Sequence, residues 1–316
     1  MQQYVLRRIA LLVPTLFGIT LVVFTAVRFL PGDVIDQMTG EHGSASPEVR
    51  AELEKQYRLS GSIPEQYASW LSDLVRGNFG TSITTGRPVS EDLKQRVPIT
   101  FELGVMALIF SLLIAMPVGI LSAVAQDSPW DYLARSLSIG FLAIPSFWMA
   151  MLVITYGFVW FGWTPPLNYR DLWESPWDNL EIMVAPALIL GAGLSGTVMR
   201  MTRSMMLEVL RQDFTRTAKA KGLAPRTVIL RHSLRNAILP VMTIIGLQVS
   251  VVVGGTVVLE QIFSIPGMGT LLLSAINARD YPVVQGIVLL SAVVVVSSNF
   301  VVDIAYTVVD PRVRYK

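Results

Sequence analysis

Apolar residues in this chain come in long runs, separated by shorter polar stretches. Six runs can be drawn, near residues 9–29, 99–125, 133–161, 183–199, 238–259 and 284–309. Each is about 17 to 29 residues long. At about 1.5 Å per residue that crosses a hydrocarbon core about 30 Å thick, with room for tilt. The pattern predicts an all-α integral membrane protein with six transmembrane helices. The first run follows Arg7 and Arg8, as a signal peptide would. It is longer than a signal core of about 7–15 residues, and no small-x-small cleavage site follows it, so it reads as a retained helix.

The polar stretches divide the chain into a first helix (1–30), a segment at 31–98, and a five-helix core (99–316) interrupted by a loop at 200–237. Segment 31–98 is too polar to span and carries two helix signals. Ser46-Pro47-Glu48 offers a capping serine, a proline at the first helical position and an acid in the first turn. Pro64 opens a second helix, in which Tyr67, Trp70, Leu71, Leu74 and Val75 share a face. Two roles fit the segment, a structural hairpin at the outer surface or a docking surface for a delivery protein. The loop 162–182 holds Trp163, Tyr169, Trp173 and Trp177, rings that favour the membrane interface.

Composition sharpens the picture through its distribution. Hydrophobic residues make up 52% and charged residues 15%, against about 25% charged in a soluble domain. Cysteine is absent, which excludes disulfides. The net charge of +2 says little, but nine Lys or Arg residues fall between Arg200 and Arg235, against only Glu208 and Asp213. Arg7 and Arg8, this loop, and the tail with Arg312, Arg314 and Lys316 share one side if the spans number six. Excess positive charge marks that side as cytoplasmic, so both termini lie inside and segment 31–98 outside.

Within the spans, Pro117 and Pro145 should bend their helices or free a carbonyl. Ala185, Ala187, Gly191, Ala192, Gly193, Ser195 and Gly196 let helix backbones approach closely, as do Gly254 and Gly255, either for packing or as a sliding seam. Polar side chains at membrane depth are costly and therefore candidate sites. Gln248 is mid-span. Asn299, Asp303, Tyr306 and Asp310 form one stripe on the last helix. Gln248, Asn299 and Asp303 are the candidates for a translocation path or gate, with structural pairing of the stripe as the alternative.

Enzymatic signatures are missing. There is no Gly-x4-Gly-Lys-Ser/Thr phosphate loop, no Gly-x-Ser-x-Gly elbow and no His-Glu-x-x-His pair. The two histidines, His42 and His232, form no metal cluster. The basic loop does have internal order. Ala218, Ala220 and Gly222 make a small, smooth ridge, with Leu223, Val228, Ile229 and Leu230 as apolar anchors. A short helix with such a surface can fit a groove on a partner and transmit a push.

Longer stretches carry a resemblance. They include Arg28-Phe29-Leu30-Pro31-Gly32-Asp33, Phe79-Gly80-Thr81-Ser82, Pro98-Ile99-Thr100-Phe101-Glu102, and Asp213 through Leu223 followed by Arg231-His232-Ser233-Leu234-Arg235-Asn236. Gly254 through Glu260, Phe263 through Gly269, Arg279 through Gly286 and Asp310-Pro311-Arg312 complete the set. In this order the chain resembles a membrane subunit of a bacterial ATP-binding-cassette importer with the type I permease fold. It is most similar to the first of the paired permeases in the dipeptide/oligopeptide/nickel branch. The basic loop resembles the one whose short coupling helix docks into the ATPase. The matching coupling positions are Arg216, Thr217, Ala218, Lys219, Ala220, Lys221, Gly222 and Leu223. The general Glu-Ala-Ala pattern reads Arg216-Thr217-Ala218 here, a departure that resembles the peptide branch.

The resemblance implies a non-catalytic, multi-pass subunit of the inner membrane, working by alternating access. Its implied partners are a second homologous permease, two ATPase subunits that hold ATP and Mg, a periplasmic or lipid-anchored substrate-binding protein, and membrane lipid. It implies no cofactor in this chain and no nucleic acid. Di- and oligopeptides are the implied substrates. Nickel chelates, glutathione, opines and oligosaccharides belong to the same branch. With no cysteine and both histidines outside the spans, peptides fit better than nickel. An ATP-independent channel or secondary transporter is the alternative class, and Asp303 and Gln248 are its only support.

Overall fold

A computed structural model describes the backbone of residues 2–28 and 61–309, and side chains over 10–27, 61–302 and at 304. The described residues form helices, turns and one isolated bridge between Thr81 and Pro88. In chain order the helices are α1 (Gln2–Arg28), α2 (Ile63–Val75), α3 (Val89–Val124), α4 (Pro129–Ala143), α5 (Ser146–Phe161), α6 (Pro176–Leu210), α7 (Asp213–Ala220), α8 (Pro225–Ile262), α9 (Met268–Asn277) and α10 (Tyr281–Val309).

Five of these are long and apolar enough to cross a membrane: α1, α3, α6, α8 and α10. The third expected span, 133–161, is a broken one. Helices α4 and α5 meet at a bend of 97° and, counted as one broken span, make a sixth candidate crossing. The cause is Pro145, whose ring disfavours helical geometry at Ile144 and whose missing N–H breaks the ladder. Ile144 is accordingly extended (ψ 118°) and α5 restarts after Pro145. By contrast, α3 runs on past Pro117.

The helices run on past the expected spans at their polar ends. Span four, drawn at 183–199, lies inside α6, which continues to Leu210, and span five starts at Pro225 rather than 238. The segment 200–237 is thus largely helix, not loop. Charged residues gave no hydropathy signal there, yet nothing in 200–210 breaks a helix.

The chain forms two compact units. The first holds Thr100–Ile265 and, among the described residues, 297–309. In it α6 is the central helix, packed on α4 and α8. Glycine sets the spacing. A Cβ on Gly196 would meet Ser138 O and Leu142 Cγ at 2.7 Å, and one on Gly191 would meet Ala107 O at 2.7 Å. Ser138 donates to Gly196 O across the first of these contacts, at 2.8 Å. The small-residue run in span four is therefore a close-packing seam. Gly254, expected to act likewise, faces open space, while its neighbour Gly255 would bring a Cβ within 3.0 Å of Leu190.

The second unit holds Gln2–Ile99 and Pro266–Val296. Its core is Val27, Val89, Leu93, Met268, Ala275, Val283, Val284 and Ile287. Helix α2 opens as Pro64 predicted, and Glu65 reaches back to accept from Ser62 N at 2.9 Å. It packs on α1 through Tyr67, which hydrogen-bonds Thr20 at 2.8 Å and packs edge-on to Phe24, and through Trp70. Val75 leaves the expected face and is exposed. The expected helix start at Ser46-Pro47 lies outside the described residues.

Candidate functional site

Helix α7 is short and two-sided. Gln212, in extended conformation, opens it, and Asp213 sits in its first turn. Thr215 and Ala218 are its buried positions, three apart and so on one face. Thr215 Oγ1 donates to Val209 O at 2.9 Å, which docks α7 onto the last turn of α6. Beneath it Met206, Val209, Ala123 and Ala237 form a small core. Phe214, Arg216, Thr217, Lys219, Ala220, Lys221, Gly222 and Leu223 are exposed. Ala218, expected on the outward ridge, instead holds the helix down. At Gly222 the chain turns with φ +76°, and no atom lies within 4 Å of where a Cβ would be. That conformation is accessible to glycine at no steric cost.

The chain then re-enters helix with a π-helical turn, Val228–Ser233, which packs against α7 and α6. An extra residue per turn shifts the register between the polar entry and the apolar span. Ser233 is fully buried there, and its Oγ has no hydrogen-bond partner.

Deeper in the same unit, a cavity of about 320 Å³ opens at the α4–α5 break. Leu142, Ile144, Ser146, Gly193, Thr197 and Gln248 are among its lining residues. Gln248 is buried, and its Nε2 donates to Leu194 O at 3.1 Å. The side-chain amide satisfies a carbonyl of the adjoining helix while facing the cavity. Asn299 lies elsewhere. It is exposed on α10 and absent from the cavity wall. The side chains of Asp303 and Tyr306, and all of Asp310, lie outside the described residues, so the stripe is not assembled here.

Two buried polar groupings stand beside these. Asp131, fully buried near the start of α4, accepts from Arg203 Nε at 2.8 Å and Nη2 at 2.7 Å, from Ser122 Oγ at 2.5 Å and from Asp127 N at 3.0 Å. Toward the other end of the bundle, Thr100 donates to fully buried Glu260 at 2.7 Å and Tyr169 to Glu102 at 3.0 Å. Burial first, and then the bond to Glu102, raise the Tyr169 phenol above its ordinary range. Tyr169 is thus a tether. Trp173 and Trp177 are exposed.

Residues 115–315 match the model of a family described as the binding-protein-dependent transport system inner membrane component, and residues 1–104 match its N-terminal companion. The chain belongs to this family. It is therefore a multi-pass protein of the inner membrane. Among similar proteins is the dipeptide transport system permease protein DppB of Escherichia coli K12, 41% identical over all of both chains. The di/tripeptide transport system permease protein DppB of Pseudomonas aeruginosa is 38% identical over the same full extent. Among solved structures, an inward-facing MetNI methionine ABC transporter chain matches with TM-score 0.56 and 18% identity, covering 69% of this chain and 96% of that one. That likeness establishes the type I permease fold.

Sequence reasoning about this inner membrane component missed Asp131 and Arg203. Asp131 follows Ser128-Pro129 and reads as an ordinary first-turn acid. Arg203 is one of the nine basic residues of 200–235 that mark orientation, and the structure pairs it with Asp131. Glu102 and Glu260 were noticed only as parts of longer matching stretches. An acid beside an apolar run was the available signal.

Proposed function

We propose that this chain is the membrane-spanning permease subunit of an ATP-driven importer of di- and oligopeptides. The observation that carries the reading is the 41% identity, over all of both chains, to a protein named as a dipeptide permease. In this reading a binding protein delivers substrate to the outer mouth formed with a second permease. Two ATPase subunits, which hold ATP and Mg, close and reopen beneath them. Helix α7 is the contact with one ATPase. Phe214, Thr217, Ala220, Lys221 and Leu223 supply its outward surface, while Thr215 and Ala218 fasten it to α6. The cavity at Gln248 is a part of the path, where a side-chain amide can exchange one peptide-like partner for another.

Reconstitution in proteoliposomes tests this. The chain, its paired permease, the two ATPases and the binding protein should take up labelled dipeptide only with internal ATP and Mg. Uptake driven by an ion gradient without ATP would overturn the reading in favour of a secondary transporter. ATP-dependent uptake of a nickel chelate but no peptide would keep the importer and change its cargo.

A further inference from the structure

The pair of buried Asp131 and partly exposed Arg203 joins the element that carries α7 to the broken third span. Arg203 sits in the cytoplasmic extension of α6, six residues before Val209, whose carbonyl anchors Thr215 of α7. On a helix, six residues are about 9 Å, so the two attachments share one stiff rod. At the far side of the pair, Asp131 lies in the first turn of α4. Two nitrogens of one guanidinium meet two oxygens of one carboxylate. Such a fork sets orientation as well as distance. Ser122 and Asp127 N occupy further lone pairs of the same carboxylate, so the end of α3 and the turn that follows are held too. Arg211 adds a contact to Gln126 in that turn at 3.3 Å.

Further along, Ser138 and Gly196 lock α4 to α6 a second time. Beyond that lock comes the break at Ile144-Pro145, and the cavity opens against it. Helices α4 and α6 are thus attached at two levels below the bend, and α5 lies beyond it. A displacement of α7 would pass to α6 and, through the pair, to α4, and the bend would take up the change where Gln248 and Thr197 line the cavity. An ion pair with one partner buried, as Asp131 is here, is seldom the most stabilising choice for its site. An apolar pair of similar volume often does as well, and the best-attested return from an ion pair is a unique geometry.

We infer that Asp131 and Arg203 are positioning residues for transport, forming the link through which movement of α7 reaches the α4–α5 break and its cavity. The inference rests on the importer reading above. The test uses the assembled complex in proteoliposomes, with ATP hydrolysis and peptide uptake measured per assembled complex. Asp131→Asn, Arg203→Gln and the double variant are compared, with Arg203→Lys as a milder change that keeps the charge. The expected result is continued ATP hydrolysis with uptake per ATP lowered roughly tenfold in each single variant, within the usual range for coupling residues. The double variant should be no worse than either single, because one link is broken in all three. Arg203→Lys should recover part of the uptake. Unchanged uptake per ATP in the single variants would overturn the inference. So would lower assembly or melting temperature with an unchanged ratio, since the pair would then be structural only. If the unaltered complex shows no ATP-driven uptake, the importer reading itself fails, an outcome distinct from both.

Discussion

At the scale of single residues, backbone conformation decides more than residue type. Gly222 matters because φ is +76° at the turn that presents Leu223, in surroundings open enough for a partner to approach. A β-branched residue there is strained by about 1–2 kcal/mol, whereas asparagine visits this region more readily. Gly222→Val should therefore assemble yet lose uptake per ATP hydrolysed, and Gly222→Asn should stay close to the unaltered protein. Normal uptake by the valine variant at normal expression would remove Gly222 from the coupling surface. The segment proposed for coupling was legible in the sequence as a run of small and basic residues. Its two faces were not. Periodicity shows that Thr215 and Ala218 share a side of α7, but not which side meets the protein. That choice comes from Val209 O, which waits at the end of α6 for a donor.

At the scale of helices, the same residue type has opposite consequences at different positions. Gly196 touches a carbonyl of α4, and a methyl group there has nowhere to go. Gly196→Ala should lower the melting temperature of the purified protein, by an overpacking cost of about 1–3 kcal/mol. A Cβ on Gly254 would meet no atom within 4 Å, so Gly254→Ala should leave packing unchanged and stabilise its helix by about 0.5–1 kcal/mol. Melting curves in one detergent would compare them directly. Equal shifts would mean that the close approach of α4 and α6 is not what stabilises the bundle. The helices themselves were legible because apolar runs of this length have one solution in lipid, in which each backbone bonds within its own segment. Their ends were less so. Hydropathy falls away at Arg200, but the helical bonds of α6 continue for ten more residues, to Leu210.

At the scale of the whole molecule, distant parts of the chain are joined by a few buried polar contacts. Asp280, buried before α10, accepts from Ser82 Oγ at 2.5 Å and from the backbone N–H groups of Ile83 and Thr84. Ser82 and Asp280 are 198 residues apart. Asp280→Ala removes the acceptor from all three donors and should cost about 3 kcal/mol. Ser82→Ala, which leaves both backbone bonds, should cost about 1 kcal/mol. Thermal unfolding of both variants checks the ratio, and equal losses would assign the tie to the hydroxyl alone. Both residues were visible as members of separate matching stretches, Phe79-Gly80-Thr81-Ser82 and Arg279-Asp280-Tyr281-Pro282. Nothing local said that they meet. The sequence by itself determined that the chain is helical, crosses the membrane several times and carries a run of small and basic residues; it marked Pro117 and Pro145 alike as bends, and the structure showed that the break falls at Pro145. Those properties follow from runs of neighbouring residues and from the proline ring. The tertiary structure alone decided which polar groups find partners: Asp131 with Arg203, Asp280 with Ser82, Gln248 with Leu194 O. Such pairs depend on how closely helices approach in three dimensions, and no period along the chain encodes that distance.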